Sequence, residues 1–107
     1  MHFKTTNLFD KQSKKLAKKY KNLKNDLESF VSNFDKAHQQ STTIKKNLYK
    51  TRLANSNKAK GKSAGYRIYY YIKLEDSIYL LTIYDKSDTE MIDEKLLIDT
   101  TENIEEM

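Results

Sequence analysis

Residues 36–74 carry ten lysines and arginines, Lys36, Lys45, Lys46, Lys50, Arg52, Lys58, Lys60, Lys62, Arg67 and Lys73, with no aspartate or glutamate among them. Cations crowded together without local counter-charge attract polyanions, and counterion release then supplies much of the affinity for a nucleic acid. Tyr49, Tyr66, Tyr69, Tyr70 and Tyr71 are interleaved with them. The mixture joins phosphate-pairing groups to flat rings on which unpaired bases stack, which suits single-stranded RNA. Aromatic residues in strands also serve as core or sheet cover. That reading is taken for Tyr66 and Tyr70, which leaves Tyr69 and Tyr71 as candidate RNA contacts.

The charge asymmetry is larger than the net +5 suggests, because residues 1–65 sum to +12 and residues 66–107 to −7. An AT-rich coding bias with ordinarily solvated lysines would produce the same composition, so charge alone does not decide the partner. The chain has no cysteine and only two histidines, His2 and His38, far apart in sequence. Disulfides, thiolate chemistry and cysteine-based zinc sites are excluded, no metal site is expected, and a reducing compartment fits. With two glycines in all, the chain has no phosphate loop, dinucleotide fingerprint or nucleophile elbow, so no cofactor is expected. It also has no run of about 18 apolar residues and no secretory h-region, so a cytoplasmic protein without a membrane partner is expected.

At 107 residues the chain suits one domain. Residues 2–5 can form a strand, after which Asn7 is a plausible N-cap with Asp10 in the first turn. Phe9, Leu16, Tyr20, Leu23, Leu27, Phe30 and Phe34 recur at helical spacing, with a break expected near Lys21, where Asn22 can cap a second helix. A helical hairpin follows from this. Its opposite face bears Lys11, Lys14, Lys15, Lys18 and Lys19, either phosphate contacts or, more simply, a solvated face. Residues 35–47 read as a helix end and connection.

Strands are expected over residues 48–54, 66–74 and 78–84, the last two forming a hairpin. Alternation puts Lys50 and Arg52 on one face of the first strand. In the second it puts Tyr66, Ile68, Tyr70 and Ile72 toward the helices and Arg67, Tyr69, Tyr71 and Lys73 on the other side. Ser87 and Glu90 match a capping box for a last helix starting there or somewhat later. The fold class is therefore α+β: a strand, a helical hairpin, a mostly antiparallel twisted sheet and a short C-terminal helix. Helices are expected on one sheet face only, with residues 99–107 an acidic end that can fray.

The segments LYKTRL, KGKSAGYRIYYYI and IYLLTIYDKS, in this order, resemble the sheet core of RelE/HigB-type toxins of type II toxin–antitoxin modules. The architecture of nearly the whole chain fits that RelE-like pattern, and its specific part covers residues 48–87. The resemblance implies a ribosome-dependent endoribonuclease that cuts mRNA and is inhibited by a cognate antitoxin, with operator DNA reached only through that antitoxin. Metal-free RNA cleavage needs the 2′-hydroxyl deprotonated, the phosphorane stabilised and the leaving oxygen protonated, and clustered cations can replace a metal.

By the same resemblance, Arg67 of the Gly-Tyr-Arg motif is the phosphate-stabilising arginine, able to give two charge-assisted hydrogen bonds. Lys50 and Arg52 match the basic pair of the family's second strand, and Lys50 would act as a base only if neighbouring cations lowered its pKa. Lys86 stands near a basic position of the family, with Tyr84 a hydrogen-bond donor at the same edge. Lys45, Lys46, Lys58, Lys60 and Lys62 are expected to grip messenger or ribosomal phosphates, or to be plainly solvated.

The chain departs from the family pattern in two ways. No histidine follows His38, and residues 90–107 are acidic where many relatives carry catalytic groups, so the general acid is unassigned. The acidic end could repel RNA, fold on the basic face or cap the last helix. Two other functions fit the same residues: a ParE-like toxin acting on DNA gyrase without chemistry, and an RNA-binding or antitoxin-binding module.

Overall fold

The structure, a computed structural model, describes residues 1–58, 65–74, 76–88 and 92–106. Its elements are β1 (His2–Thr5), α1 (Asn7–Lys19), α2 (Leu23–Ser32), α3 (Phe34–Gln39), β2 (Thr42–Lys45), β3 (Leu48–Leu53), β4 (Tyr66–Lys73), β5 (Ser77–Asp85) and α4 (Glu94–Glu105). The strands form one mixed sheet in the order β1-β5-β4-β3-β2, with β1 parallel to β5 and every other pair antiparallel. The α+β class and the terminal strand and helix are as the sequence predicts.

The apolar stripe of the helices meets one sheet face. Phe9, Tyr20, Leu23, Phe30 and Phe34 pack with Tyr66, Ile68, Tyr70, Ile78, Leu80 and Ile83, and Leu16 and Leu27 lie half-buried against them. Edge-to-face ring pairs, such as Phe34 with Tyr70 at 5.0 Å and Tyr20 with Tyr66 at 5.9 Å, fix the fit of helix to sheet.

The structure corrects the sequence reading at several places. The helical hairpin carries an extra short helix, α3, after an interruption at Asn33. Residues 42–45, read as connection, form β2 and pair with β3 through a turn in which Asn47 takes φ 68°. Asparagine tolerates that left-handed conformation better than most residues. Thr6, not Asn7, caps α1, its hydroxyl accepting from the Phe9 amide at 3.1 Å. Asp93 caps α4, while Ser87 gives its hydroxyl to Asp85 instead of opening a helix; Glu90 lies outside the described residues.

The largest correction concerns the second sheet face. It is not left open: Leu97 and Ile104 of α4 pack on Leu48, Tyr69, Tyr71, Tyr79 and Leu81. β4 and β5 are therefore buried on both sides, which is why their sequences read as near-continuous apolar and aromatic runs.

Gly65 sits where β4 leaves the loop. A Cβ there would stand 3.0 Å from the Leu53 carbonyl oxygen, a backbone atom of the neighbouring strand. The Gly65 carbonyl accepts from the Lys86 amide at 2.9 Å and from Arg67 Nη1 at 3.3 Å. One residue thus holds the close approach of β3, β4 and the end of β5. Gly65→Ala is expected to destabilise the fold by about 1–3 kcal/mol through overpacking against backbone. Urea unfolding measures this, and an unchanged midpoint would mean that the strands have slack at this point.

Candidate active site

Strand register assembles the site. Arg52 pairs with Arg67 across β3 and β4, and Arg67 pairs with Tyr84 across β4 and β5, so three candidate side chains form one row across the sheet. Lys50, two residues from Arg52 and on the same face, pairs with Tyr69 and holds its Nζ 5.4 Å from the centre of that ring. Lys86 follows the end of β5. All five residues expected to do chemistry, Lys50, Arg52, Arg67, Tyr84 and Lys86, line one cleft of about 330 Å³. Among the described residues, Gln40, Thr42, Ile44, Thr51 and Glu94 also line it. This volume is at the small end of ligand clefts, suited to a sugar–phosphate unit and not to a duplex.

Arg67 is the buried member, 4 % exposed, with Nη1 donating to the carbonyls of Gly65 and Tyr66. Burial, and then the Arg52 charge, lower its pKa from the usual arginine value, and it stays a cation at neutral pH. Two guanidiniums facing each other across adjacent strands repel, and an anion between them relieves that cost. Around them Lys50 is half-buried, Arg52 and Lys86 are exposed, and Tyr84 is buried. The Thr51 hydroxyl donates to the Ala37 carbonyl at 3.2 Å and ties the opposite side of β3 to α3.

Of the expected RNA-gripping residues, the described ones, Lys45, Lys46, Lys58, Tyr69 and Tyr71, do not line this cleft. Lys45 lies 3.7 Å from Glu102, beside a second depression that Lys46, Tyr71, Glu105 and Glu106 also line. The acidic C-terminal segment has thus folded onto the basic face, one of the three alternatives its sequence allowed. Lys60 and Lys62 lie outside the described residues. Tyr69 and Tyr71 are not stacking platforms in this structure, being 2 % and 5 % exposed beneath α4. Their hydroxyls donate to Glu94 at 2.8 Å and to Glu105. Burial and then those carboxylates raise both phenol pKa values, Tyr71 to about 12.

Lys58 is not a free phosphate-gripping cation either, since its Nζ lies 2.9 Å from the wholly buried carboxylate of Asp85. Asp85 also accepts from Asn55 Nδ2 at 2.9 Å and from the Ser87 amide at 2.9 Å and hydroxyl at 2.5 Å. Burial alone would raise its pKa, but the bonds from Ser87, Asn55 and Lys58 outweigh burial and hold it at about 2. Sequence reasoning missed this anchor and also Glu94. A carboxylate ending the otherwise apolar run IYLLTIY was the available signal for Asp85; no local pattern marks Glu94.

His38 is a packing residue, stacked on Phe34 with Nδ1 2.7 Å from the Tyr70 hydroxyl. Among the described residues, no group of three or more histidines and carboxylates is placed to hold a metal, and no helix is long and apolar enough to cross a membrane. In comparisons with known proteins, no family model matches the chain and no curated protein matches its sequence.

The Asp85 anchor makes a pH prediction. Because its folded pKa is depressed, its stabilisation is complete above the unfolded value of about 4 and is lost as pH falls through about 2. Unfolding midpoints measured from pH 6 downward should drop over that window. Asp85→Asn should be less stable at neutral pH and show a shallower acid dependence. An equally steep drop in the variant would place the acid lability elsewhere. Lys58→Met should also destabilise, because it leaves a buried carboxylate without its cation.

Proposed function

We propose that the chain is a toxin of the RelE/HigB type, a ribosome-dependent endoribonuclease that cuts messenger RNA without a metal and is held in check by a cognate antitoxin. The observation that carries this reading is the convergence of Lys50, Arg52, Arg67, Tyr84 and Lys86, drawn from three separate stretches of sequence, on one small cleft. The resemblance of residues 48–87 to the family's sheet core, given above, supports it. The RelE-like assignment of the fold belongs to the same proposal, as does a cytoplasmic site of action.

In this reading a phosphodiester enters the cleft with its non-bridging oxygens toward Arg67 and Arg52. The ribose 2′-oxygen attacks the adjoining phosphorus, and the charge that grows on the phosphorane is met by the two guanidiniums. The bond from phosphorus to the 5′-oxygen breaks, and the exposed Lys86, or Tyr84 in the cleft wall, supplies the proton for the departing oxygen. The products are a 2′,3′-cyclic phosphate and a 5′-hydroxyl. Lys50, braced on the Tyr69 ring, holds a flanking phosphate or the same one from the β3 side. Folded RNA is too bulky for a cleft of this size, which fits a messenger strand presented extended on the ribosome.

The test is cleavage of ribosome-engaged mRNA by purified, antitoxin-free protein, with 5′ ends mapped. Cleavage is expected, with Arg67→Ala reduced about 100- to 1,000-fold, the typical cost of removing a transition-state donor, and with its circular dichroism unchanged. No cleavage and no inhibition of translation, or a fully active Arg67→Ala variant, would refute the enzyme reading. Inhibited DNA supercoiling with translation intact would move the protein to the gyrase-directed branch.

A further inference from the structure

Among the described residues, Glu94 is the acidic side chain in a cleft otherwise lined by cations and neutral groups. It is the first residue of α4, whose N-cap is Asp93. Its Oε2 accepts a hydrogen bond from the Tyr69 hydroxyl at 2.8 Å. Tyr69, on β4, is itself fixed, being 2 % exposed beneath α4, with Lys50 Nζ above its ring. A carboxylate keeps further lone pairs after accepting one such bond. Among the described residues, the charged and titratable groups facing it are Lys50 and Arg52 from β3, Arg67 and Tyr69 from β4, and Tyr84 and Lys86 from the end of β5. Asp93 and Lys95 flank it on its own helix.

The cations of the cleft can hold a phosphate and donate protons, but an ammonium or guanidinium cannot take one. A cleft built only from them lacks a base. We propose that Glu94 is the general base of the cleft, accepting the proton of the ribose 2′-hydroxyl as its oxygen attacks phosphorus. This inference rests on the endonuclease reading. The proton passes to the Glu94 carboxylate, the new bond joins the 2′-oxygen to phosphorus, and the bond to the 5′-oxygen breaks as that oxygen is protonated from Lys86 or Tyr84. The carboxylic acid then returns its proton to water, and no co-reactant is consumed. Tyr69 acts as a positioning residue, holding the carboxylate by one oxygen.

Glu94→Gln keeps an oxygen for the Tyr69 hydroxyl and removes the base. On ribosome-bound mRNA, kcat should fall about 100-fold or more, in the usual range for a general base. KM should stay level or fall, because a negative charge has left a cationic cleft, and the acid limb of the pH–rate profile should disappear. Glu94→Asp should recover part of the rate. A kcat for Glu94→Gln within threefold of wild type with the acid limb intact would overturn the assignment, as would a raised KM with unchanged kcat, which would mark a binding role. Wild-type protein that cuts no messenger would overturn the function itself and this inference with it. An active wild type with an equally active Glu94→Gln variant would overturn the inference alone.

Discussion

The buried carboxylate of Asp85 ties the end of β5 to the loop after β3 and to the turn that follows it. A charge removed from water at the end of an internal strand costs several kcal/mol unless it is fully paired, and here every partner comes from a segment that must fold back to reach it. Asn55 and Lys58 arrive from the loop after β3, and Ser87 from the turn after β5. The Lys58 ammonium also lies 5.2 Å from the centre of the Tyr20 ring, while the Tyr20 hydroxyl and Lys19 both reach Asp88. The junction of the first two helices, the basic loop and the last strand therefore meet at one point. Asp85 faces Tyr66 in the β4–β5 register, one residue from the Arg67–Tyr84 pair, so the anchor also sets the height at which the cationic row stands.

Around that fixed end, charge is distributed by folding and not by sequence neighbourhood. The stretch 36–74 contains no acid, yet acids reach it from elsewhere: Asp85 at Lys58, Glu102 at Lys45, and Glu94 at the cleft itself. The exposed pairs contribute little to stability. What holds α4 against the sheet is burial of Leu97 and Ile104, each contributing about 1.5–3 kcal/mol when fully removed from water. The carboxylates that the helix carries are brought along by that packing. They trim a broad positive surface to a narrower one, in which Arg52 and Lys86 are exposed and Arg67 lies buried beside them.

Much of the site was legible because it depends on a period of two. The alternation in LYKTRL puts Lys50 and Arg52 together whatever the tertiary fold, and the helical stripe from Phe9 to Phe34 dictates the face that meets Tyr66, Ile68 and Tyr70. What failed depends on partners remote in sequence. Thr42–Lys45 has no apolar alternation to announce it and becomes a strand only because β3 offers an unpaired edge. Arg67, Tyr69, Tyr71 and Lys73 have the pattern of a wet face, but a helix some thirty residues later covers the two tyrosines. Ser87 has the type and spacing of a cap, but its hydroxyl donates to Asp85, and the helix starts later, capped by Asp93.

The acidic C-terminal half looked, from charge alone, like an obstacle to a polyanion partner. In the endonuclease reading proposed above, the fold removes the contradiction by separating binding from proton transfer. Arginines bind phosphate well because they do not release their protons, and for the same reason they cannot accept one. A lysine reaches the basic form only if its neighbours force the proton off, and a lysine so depleted no longer serves as a cation for phosphate. In that reading a carboxylate in the cleft takes the proton and leaves phosphate binding to the cations. That division requires a negative side chain held among positive ones, and the Tyr69 hydroxyl, a neutral donor on a buried ring, holds Glu94 by one oxygen.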